Sequence, residues 1–371
     1  MTDPDDLLPE GLEDRLPGEA AALTAAMRSA LDVLDSHGYD RVRPPLVEFE
    51  RSLAGRMAGV QTRRMFRFVD PASLRTLALR SDMTPQIGRI AATSLAAAPR
   101  PLRLSYAGEV VTIRADQLDP ARQRLQLGAE LVGSDGAEAA GEIVALAVEA
   151  LEAAGARGIS VDFTMPDLVD TLANGALPVA RERIEAVRRE LDMKDAAALR
   201  DAGGEAYVPL LYAAGEFEDA VARLDAIDHR GALASRIDGL RRVAARVPSG
   251  VRRTLDPTER HGFEYQSWFG FTLYAAGSRG AVGRGGTYCI SGTDECATGF
   301  SLYLDALAEA GRGEIGRQTL FLPLGHDREA AARLRAIGWR TLAALSDGED
   351  ASALGCSHLL DGAEPRPIPA G

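Results

Sequence analysis

The sequence has few cysteines and few histidines, and this scarcity limits the chemistry it can support. Of its 371 residues, three are cysteines and five are histidines. Cys289, Cys296 and Cys356 are too few and too scattered for a disulfide framework or a zinc site. We expect the first two to be small, reduced and buried residues. No two histidines have the His-x-x-x-His spacing, so we expect no bound metal and no other cofactor.

The chain also lacks a long apolar run. No stretch approaches the ~20 apolar residues that a membrane-spanning helix needs. The acidic residues 1–6 are not followed by the apolar segment of a signal peptide. We therefore expect a cytoplasmic location, reduced cysteines and no membrane partner.

Positively charged residues are also fewer than negatively charged ones. Lysine and arginine number 42 against 54 aspartates and glutamates, which gives a formal net charge of -12. Proteins that bind nucleic acid through its phosphates present a basic surface. We therefore do not expect a nucleic-acid partner. The apolar content of 46% is ordinary for a soluble globular protein, and the length favours two or three domains.

Apolar periodicity predicts an α+β protein, in which an antiparallel sheet is flanked by helices. Two patterns leave alternatives open. Gly108 either separates two strands or lies within one bent strand, and the pair 285–286 taken alone indicates a turn before a strand. The predicted helices are 19–37, 84–97, 136–154 and 295–310. The predicted strands are 65–69, 74–79, 102–107, 109–115, 123–132, 159–163, 249–254 and 268–275.

A change of composition near residue 165 predicts an inserted subdomain, because the pattern from there to about residue 247 is almost entirely helical. We predict a core over 1–164 and 248–312, a helical insertion over 165–247 and a short C-terminal α/β domain over 318–371. The C-terminal domain follows a β-α-β-α-β pattern, and we expect its last residues to be frayed.

Six segments match, in order and at compatible spacings, the motifs of class II aminoacyl-tRNA synthetases. From about residue 8 to 310 the chain resembles the catalytic core of histidyl-tRNA synthetase in particular. The resemblance implies a class II synthetase-like antiparallel sheet, and in the family the first motif builds the interface of a homodimer. The matching segments are 38–48, 79–84, 106–133, 261–268, 285–288 and 299–306.

The sequence departs from the synthetase at three arginine positions. In the family these arginines stabilise the negative charge that develops when the α-phosphate of ATP is attacked. Thr112, His261 and Ala306 occupy the three positions here, and Arg114 replaces an acidic residue. Since one such stabiliser contributes roughly 10²–10³ in rate, we expect almost no adenylation and no catalytic residue.

The resemblance implies that the amino-acid pocket is partly kept. An ammonium group needs carboxylate and amide oxygens around it. In the family an acid, a glutamine and a glutamate line the pocket, and Asp82, Gln126 and Glu130 match them. Gln266 stands where a second tyrosine of the family helps to hold the imidazole ring. The candidate histidine-binding residues are Asp82, Thr84, Gln126, Glu130, Tyr265 and Gln266.

Ordinary structural roles are open for the same residues. Asp82 could cap the helix that follows it. Glu130 could form an ion pair with Arg103 or Arg122. Tyr106 and the tyrosine of the pocket could be core residues.

A synthetase-like core that keeps much of the amino-acid pocket and lacks the arginines resembles the regulatory subunits of ATP phosphoribosyltransferase. The segment 318–371 is shorter than the anticodon-binding domain of a synthetase, so we do not expect it to hold tRNA. The resemblance implies a non-catalytic subunit in a hetero-oligomer, often a hetero-octamer, with a short catalytic subunit. In the family it is required for the activity of that subunit in the first step of histidine biosynthesis. It also takes part in feedback inhibition by L-histidine.

The segment from Leu53 to Arg67 is a candidate contact surface for the catalytic subunit, because Met, Phe and Arg are enriched at interfaces. The alternative is an ordinary surface loop at the mouth of the pocket, with Arg63 and Arg64 on a solvated face. Two other functions stay open for the whole chain: a divergent histidyl-tRNA synthetase and a stand-alone synthetase-like module that senses tRNA.

Overall fold

The chain divides into two compact units, residues 1–312 and 313–371. Among the residues that the structure describes, no helix is long and apolar enough to cross a bilayer. The computed structural model describes residues 7–55, 65–114, 120–228, 230–260, 266–305, 307 and 318–369, and of Gln266 only the backbone.

The larger unit combines a long series of strands with helices before, between and after them. Its strands are β1 (Asp40–Arg41), β2 (Val47–Phe49), β3 (Arg67–Val69), β4 (Thr76–Leu79), β5 (Leu102–Val111), β6 (Gln123–Val132), β7 (Ser160–Thr164), β8 (Gly215–Glu216), β9 (Arg252–Leu255), β10 (Gln266–Tyr274), β11 (Gly283–Cys289) and β12 (Cys296–Tyr303). Its helices are α1 (Pro17–Ser36), α2 (Glu50–Ala54), α3 (Thr84–Ala92), α4 (Ala137–Ala153), α5 (Leu168–Ala173), α6 (Ile184–Asp192), α7 (Ala196–Asp201), α8 (Phe217–Ile227) and α9 (Ala234–Ala244). Residues Arg181–Arg183 and Glu205–Tyr212 form 3₁₀ segments.

One large sheet organises this unit. In the described part of the chain its strand order is β1-β5-β6-β12-β11-β10-β7-β9-β8. Neighbours from β5 to β7 run antiparallel, whereas β1–β5 and β7–β9 are parallel. Gly108 lies inside β5, so the chain forms one strand over Leu102–Val111 and not two strands separated at this glycine. The predicted α+β class is confirmed.

Helix α4 lies across the sheet and forms the centre of the core. Its residues are buried on nearly every side, which is typical of a helix enclosed by other elements. It contacts α1 and α9 as well as β6, β10, β11 and β12. Buried side chains from α5 to α9 join the same hydrophobic cluster as the sheet. The treatment of 165–247 as a separate insertion stays a prediction.

The predicted helix over 295–310 is wrong for its first half, where the chain forms β12. This strand lies between β6 and β11, and its interior residues are buried on both faces of the sheet. Burial on both faces removes the polar–apolar alternation that would have indicated a strand. Gly285 is likewise inside β11 and not in a turn, at a point where a Cβ would overlap the ring of Phe271.

A smaller sheet of order β2-β4-β3 precedes α3. Its predicted hairpin turn at 70–73 is confirmed, and Asp70 stabilises it by accepting hydrogen bonds from Ala72 and Ser73. Phe68 and Val69 of β3 are exposed on this sheet, 46% and 61% respectively. It therefore presents apolar surface to its surroundings.

The expectation that Cys289 and Cys296 are reduced, buried residues is wrong. They lie directly opposite each other in the β11–β12 ladder and form a disulfide, with their Cα atoms 4.0 Å apart. Cys289 is exposed and Cys296 is half-buried. Once 296–303 is a strand and not a helix, the two cysteines become cross-strand neighbours. Cys356 is free and buried.

The smaller unit is an α/β fold with its own core, built around Leu320, Leu322, Ala331 and Leu360. Its elements are β13 (Thr319–Leu322), α10 (Arg328–Ala336), β14 (Arg340–Ala343), β15 (His358–Asp361) and β16 (Glu364–Pro367). The sheet order is β14-β13-β15-β16, in which β13 is parallel to β14 and β15.

Two expectations for the smaller unit are corrected. Residues 351–355 form turns where the β-α-β-α-β pattern placed a helix. The final residues are not frayed throughout, because β16 pairs antiparallel with β15 at the edge of the sheet. In that pairing Pro365 lies opposite Leu360 and Pro367 lies opposite His358.

Candidate functional site

Four of the candidate residues meet at the junction of α3 and the central sheet. Gln126 and Glu130 lie on β6, and their spacing of two strand repeats puts both side chains on one face. Thr84 is the first residue of α3, and Asp82 lies two residues before it. Tyr265 lies outside the described residues. The backbone of Gln266 pairs with β11 in register with Tyr288.

Gln126 fixes the segment that leads into α3. It is fully buried, and its Oε1 accepts the amide N–H of Met83 at 2.9 Å. Its Nε2 donates to Asp82 Oδ1 at 2.7 Å and to Ser301 Oγ at 2.6 Å. Both amide hydrogens and the carbonyl oxygen of the side chain therefore have partners. The glutamine joins β6, β12 and the start of α3.

Asp82 has the structural role that the sequence left open for it at the start of α3, and its role in a pocket stays a prediction. Its Oδ1 accepts the backbone N–H of Thr84 at 3.0 Å, so it satisfies an amide in the first turn of α3. The same atom accepts the hydrogen bond from Gln126. Asp82 is half-buried, which leaves its carboxylate at the edge of the buried cluster.

Glu130 is the most buried carboxylate of the cluster, with 1% of its surface exposed. The phenol of Tyr106 donates to its Oε1 at 3.1 Å, and the phenol of Tyr288 donates to its Oε2 at 2.9 Å. Tyr106 also lies 3.2 Å from Thr84 Oγ1 and 3.0 Å from Ser301 Oγ. A continuous set of hydrogen bonds therefore links Glu130 to both α3 and β12.

The ion pairs considered for Glu130 do not form. Arg103 is bound to Glu142 through two hydrogen bonds of 2.8 and 2.9 Å. Arg122 donates to the carbonyl oxygens of Thr112 and Glu10. The groups that donate hydrogen bonds to Glu130 are phenol hydroxyls, which carry no positive charge.

Burial raises the pKa of Glu130 from its ordinary value of 4.5 to about 8. The nearby charge of Asp82 adds to this rise, whereas hydrogen bonds from Tyr288, Thr84 and Tyr106 oppose it. Burial also raises the pKa of Tyr106, with a further contribution from the charge of Glu130. Without a cation, much of Glu130 is protonated near neutral pH.

The position opposite Glu130 has to be a glycine. Gly299 on β12 is its register partner, and a Cβ there would overlap the Glu130 carboxylate and approach the carbonyl oxygen of Ala129. The absence of a side chain at this point gives the carboxylate room to lie across the neighbouring strand.

The sequence did not assign three residues that complete the cluster, Tyr106, Tyr288 and Ser301. Each lies inside a segment that matched a synthetase motif: 106–133, 285–288 and 299–306. That membership was the available signal. Their partners became apparent only from the order of the strands, because Glu130 meets residues far from it in the sequence.

Of the three positions at which the resemblance implies a family arginine, only Thr112 lies among the described residues. Thr112 lies just beyond β5, where its Oγ1 donates to the carbonyl oxygen of Arg114 at 3.1 Å. His261 and Ala306 lie outside the described residues. Of the candidate partner surface, Leu53 and Met65 are buried in one small cluster with Ala78, and Arg63 and Arg64 lie outside the described residues.

Comparison with known proteins identifies the family. A model of the histidyl-tRNA synthetase family matches residues 11–307. An ATP phosphoribosyltransferase regulatory subunit from Rhodospirillum centenum is 41% identical over 96% of this chain and 95% of its own. A protein of the same name from Paramagnetospirillum magneticum is 42% identical, over 95% and 96%. The chain belongs to the ATP phosphoribosyltransferase regulatory subunits.

Comparison with solved structures shows that this chain has a synthetase-like fold. A Bacillus halodurans protein described as an ATP phosphoribosyltransferase regulatory subunit/histidyl-tRNA synthetase superposes with a TM-score of 0.79 at 23% identity, over 95% of this chain and 97% of that one. A histidyl-tRNA synthetase from Nostoc superposes with a TM-score of 0.75 at 16% identity, over 95% and 90%. The predicted class II synthetase-like fold is confirmed.

Proposed function

We propose that this chain is the non-catalytic regulatory subunit of a cytoplasmic ATP phosphoribosyltransferase, in the first step of histidine biosynthesis. In this proposal the short catalytic subunit depends on it for activity, and L-histidine acts through it as the feedback inhibitor. The observation that carries the proposal is the buried cluster of Asp82, Gln126 and Glu130 in a chain of the regulatory-subunit family. The carboxylates of the cluster can receive a cation.

The ligand proposed for the cluster is the α-ammonium group of histidine. An ammonium has three donors and one positive charge, and it matches the carboxylates of Glu130 and Asp82. Gln126 holds Asp82 in place for that contact. Thr84 joins through Tyr106, and Tyr265 and Gln266 are proposed to contact the imidazole ring.

The chain is proposed to have no synthetase activity of its own. Thr112, His261 and Ala306 stand where the family resemblance places arginines. None of these three residues can supply the fixed positive charge that stabilises a developing phosphorane. Retention of the pocket without these arginines is what a histidine sensor requires.

The assembly proposed is a hetero-octamer of regulatory and short catalytic subunits, in which two copies of this chain pair through the synthetase-like core. This pairing rests on the resemblance, in which the first motif, here residues 38–48, builds the interface of a homodimer. Histidine would then favour one arrangement of the assembly over the other. The coupling has to amount to about 1–3 kcal/mol and has to be reciprocal.

The test is a titration of a short catalytic subunit with this chain, with formation of phosphoribosyl-ATP as the readout. We expect a saturable rise in rate that histidine suppresses. Glu130→Ala should keep the rise and lose the suppression, because it removes the carboxylate and leaves the surface intact. An equal rise with and without histidine would reject the pocket. No rise and no co-elution would reject the partner.

A divergent histidyl-tRNA synthetase is the second candidate, favoured by the family model that matches residues 11–307. It predicts histidine-dependent exchange of pyrophosphate into ATP, which our proposal does not. A salt-dependent gel shift with tRNA provides a second discriminating measurement, and the net charge of -12 leads us to expect no shift.

A further inference from the structure

The disulfide lies next to the candidate site, at the closed end of the β11–β12 hairpin. Cys289 and Cys296 face each other immediately before and after the hairpin turn, residues 290–295. The turn is closed by a hydrogen bond of 2.9 Å from the N–H of Ile290 to the carbonyl oxygen of Glu295. Both strands are already paired along their length, so the fold does not need the bond to bring them together.

The pair is accessible to small thiols. Cys289 is exposed, and Cys296 is half-buried. A disulfide that solvent can reach exchanges with thiol reagents, whereas a structural disulfide in a core does not. Cys356, the remaining cysteine, is buried and unpaired in the smaller unit.

One route from the disulfide to the site runs along β11. Tyr288 directly precedes Cys289, and its phenol donates to Glu130 Oε2 at 2.9 Å. Ala297, the register partner of Tyr288, directly follows Cys296. The covalent bond therefore fixes the two strands at the residue pair next to the one that holds the Glu130 carboxylate.

A second route runs through the hairpin turn to α3. Ile290 packs in one buried cluster with Tyr288 and with Ala91 of α3. Glu295 receives two hydrogen bonds from Arg100, at 2.5 and 3.1 Å, and Arg100 also donates to the carbonyl oxygen of Ala91. Helix α3 begins at Thr84, where Asp82 is bound, so both carboxylates of the site are connected to the hairpin.

We propose that Cys289 and Cys296 form a redox-sensitive modification site that sets the affinity of the adjacent amino-acid site. The oxidant is a low-molecular-weight disulfide such as oxidised glutathione. The Cys289 thiolate attacks one sulfur of that disulfide, which forms a mixed disulfide and releases one thiolate. The Cys296 thiolate then attacks the Cys289 sulfur and releases the second. The protons lost by the two cysteine thiols end on the two released small thiols. The cysteine pair is oxidised by two electrons, and the small disulfide is reduced by the same two electrons.

The expected effect on the ligand rests on the proposed function. The disulfide holds Tyr288 and Ile290 in fixed register, which pre-organises the Glu130 carboxylate for a cation. Reduction leaves the hairpin end held only by its non-covalent contacts. We therefore expect the oxidised chain to bind histidine about fivefold more tightly than the reduced chain, or better.

The first experiment tests the site without reference to histidine. The full chain is equilibrated with mixtures from fully reduced to fully oxidised glutathione, and free thiols are alkylated and counted by mass. The Cys356→Ala variant removes the third thiol from the count. We expect the loss of two thiols in one step within this series. A chain that keeps both thiols in oxidised glutathione, or keeps the disulfide in excess reduced glutathione, overturns the proposal.

The second experiment measures histidine binding by calorimetry on the oxidised and the reduced chain. The double variant Cys289→Ser, Cys296→Ser should bind as the reduced chain does, whether or not oxidant is present. Equal affinities of the two wild-type states overturn the proposal. If neither state binds histidine, the proposed function fails. In that case, hydrogen exchange at Tyr288 and Ile290 still decides the redox coupling, and equal exchange in both states overturns it.

Discussion

At the scale of single residues, the raised pKa of Glu130 has a consequence for binding. Burial makes the neutral carboxyl the favoured form up to a pH of about 8, but an ammonium ligand favours the carboxylate. Binding at pH 7 should therefore release a proton, and affinity should increase as the pH rises from about 6.5 to 8. Calorimetry at pH 7 in phosphate and in Tris would reveal the proton as a difference in apparent enthalpy.

Glu130→Gln is the matched control for this linkage. The amide is close in shape to the carboxylic acid and has no ionisable proton, so its apparent binding enthalpy should be the same in both buffers. Equal enthalpies in the unmodified chain would contradict the assignment of Glu130 as the ammonium-binding carboxylate.

The sequence allowed the residues of the site to be predicted better than their partners. Asp82, Gln126 and Glu130 lie in one hydrogen-bonded cluster, in which Ser301 and Tyr106 connect Gln126 to Glu130, and their role in binding a ligand stays a prediction. The two phenols on Glu130 were not expected. A carboxylate in an arginine-rich chain favours an ion pair on general grounds, and only the strand order shows that Tyr106 and Tyr288 lie nearer.

At the scale of elements, the contact between β6 and β12 leads to a second prediction. Gly299→Ala would place a Cβ against the Glu130 carboxylate, so one of the two strands has to shift. We expect a loss of about 1–3 kcal/mol in the free energy of unfolding, measured with urea, together with weaker histidine binding. Both changes follow from the close approach of β6 and β12 at this position.

The control for that substitution is Gly18→Ala. Gly18 lies in the first turn of α1, and a Cβ there would meet no atom within 4 Å. Since alanine favours a helix over glycine by up to about 1 kcal/mol, this variant should be as stable as the unmodified chain or slightly more stable. Wild-type stability in Gly299→Ala as well would contradict the packing described for β12.

The elements differ in how well the sequence predicted them. Helix α4 and strand β6 were expected close to their observed limits, because long apolar periodic segments carry a strong local signal. Strand β12 was expected to be a helix. A short strand buried on both faces has no period of two, and its identity depends on β6 and β11 beside it.

At the scale of the whole molecule, the separate cores of the two units lead to a third prediction. Leu320, Leu322, Ala331 and Leu360 form a cluster within the smaller unit, and the candidate site lies entirely within residues 1–312. A chain that ends at Arg312 should therefore fold and bind histidine with an affinity within about twofold of the full chain. Circular dichroism and calorimetry on the shortened chain would measure both properties.

The result that would contradict this prediction is a shortened chain without a cooperative thermal transition, because it would show that the larger unit depends on residues 313–371. A folded chain that has lost histidine binding would instead place part of the site in the smaller unit. A preparation with Gly371 removed is the control for changes at the terminus alone.

The two prolines of β16 limit the backbone hydrogen bonds that the outer edge of the smaller sheet can form. The N–H of Ile368 points toward β15, where it donates to the carbonyl oxygen of Ser357, and by alternation residues 365 and 367 direct their backbone nitrogens the other way. Both residues are prolines, whose backbone nitrogens carry no hydrogen and cannot donate a hydrogen bond. Along β16 the outer edge therefore shows acceptors without donors. An incoming strand could therefore form only part of its hydrogen bonds with β16, which disfavours sheet-to-sheet aggregation at this edge.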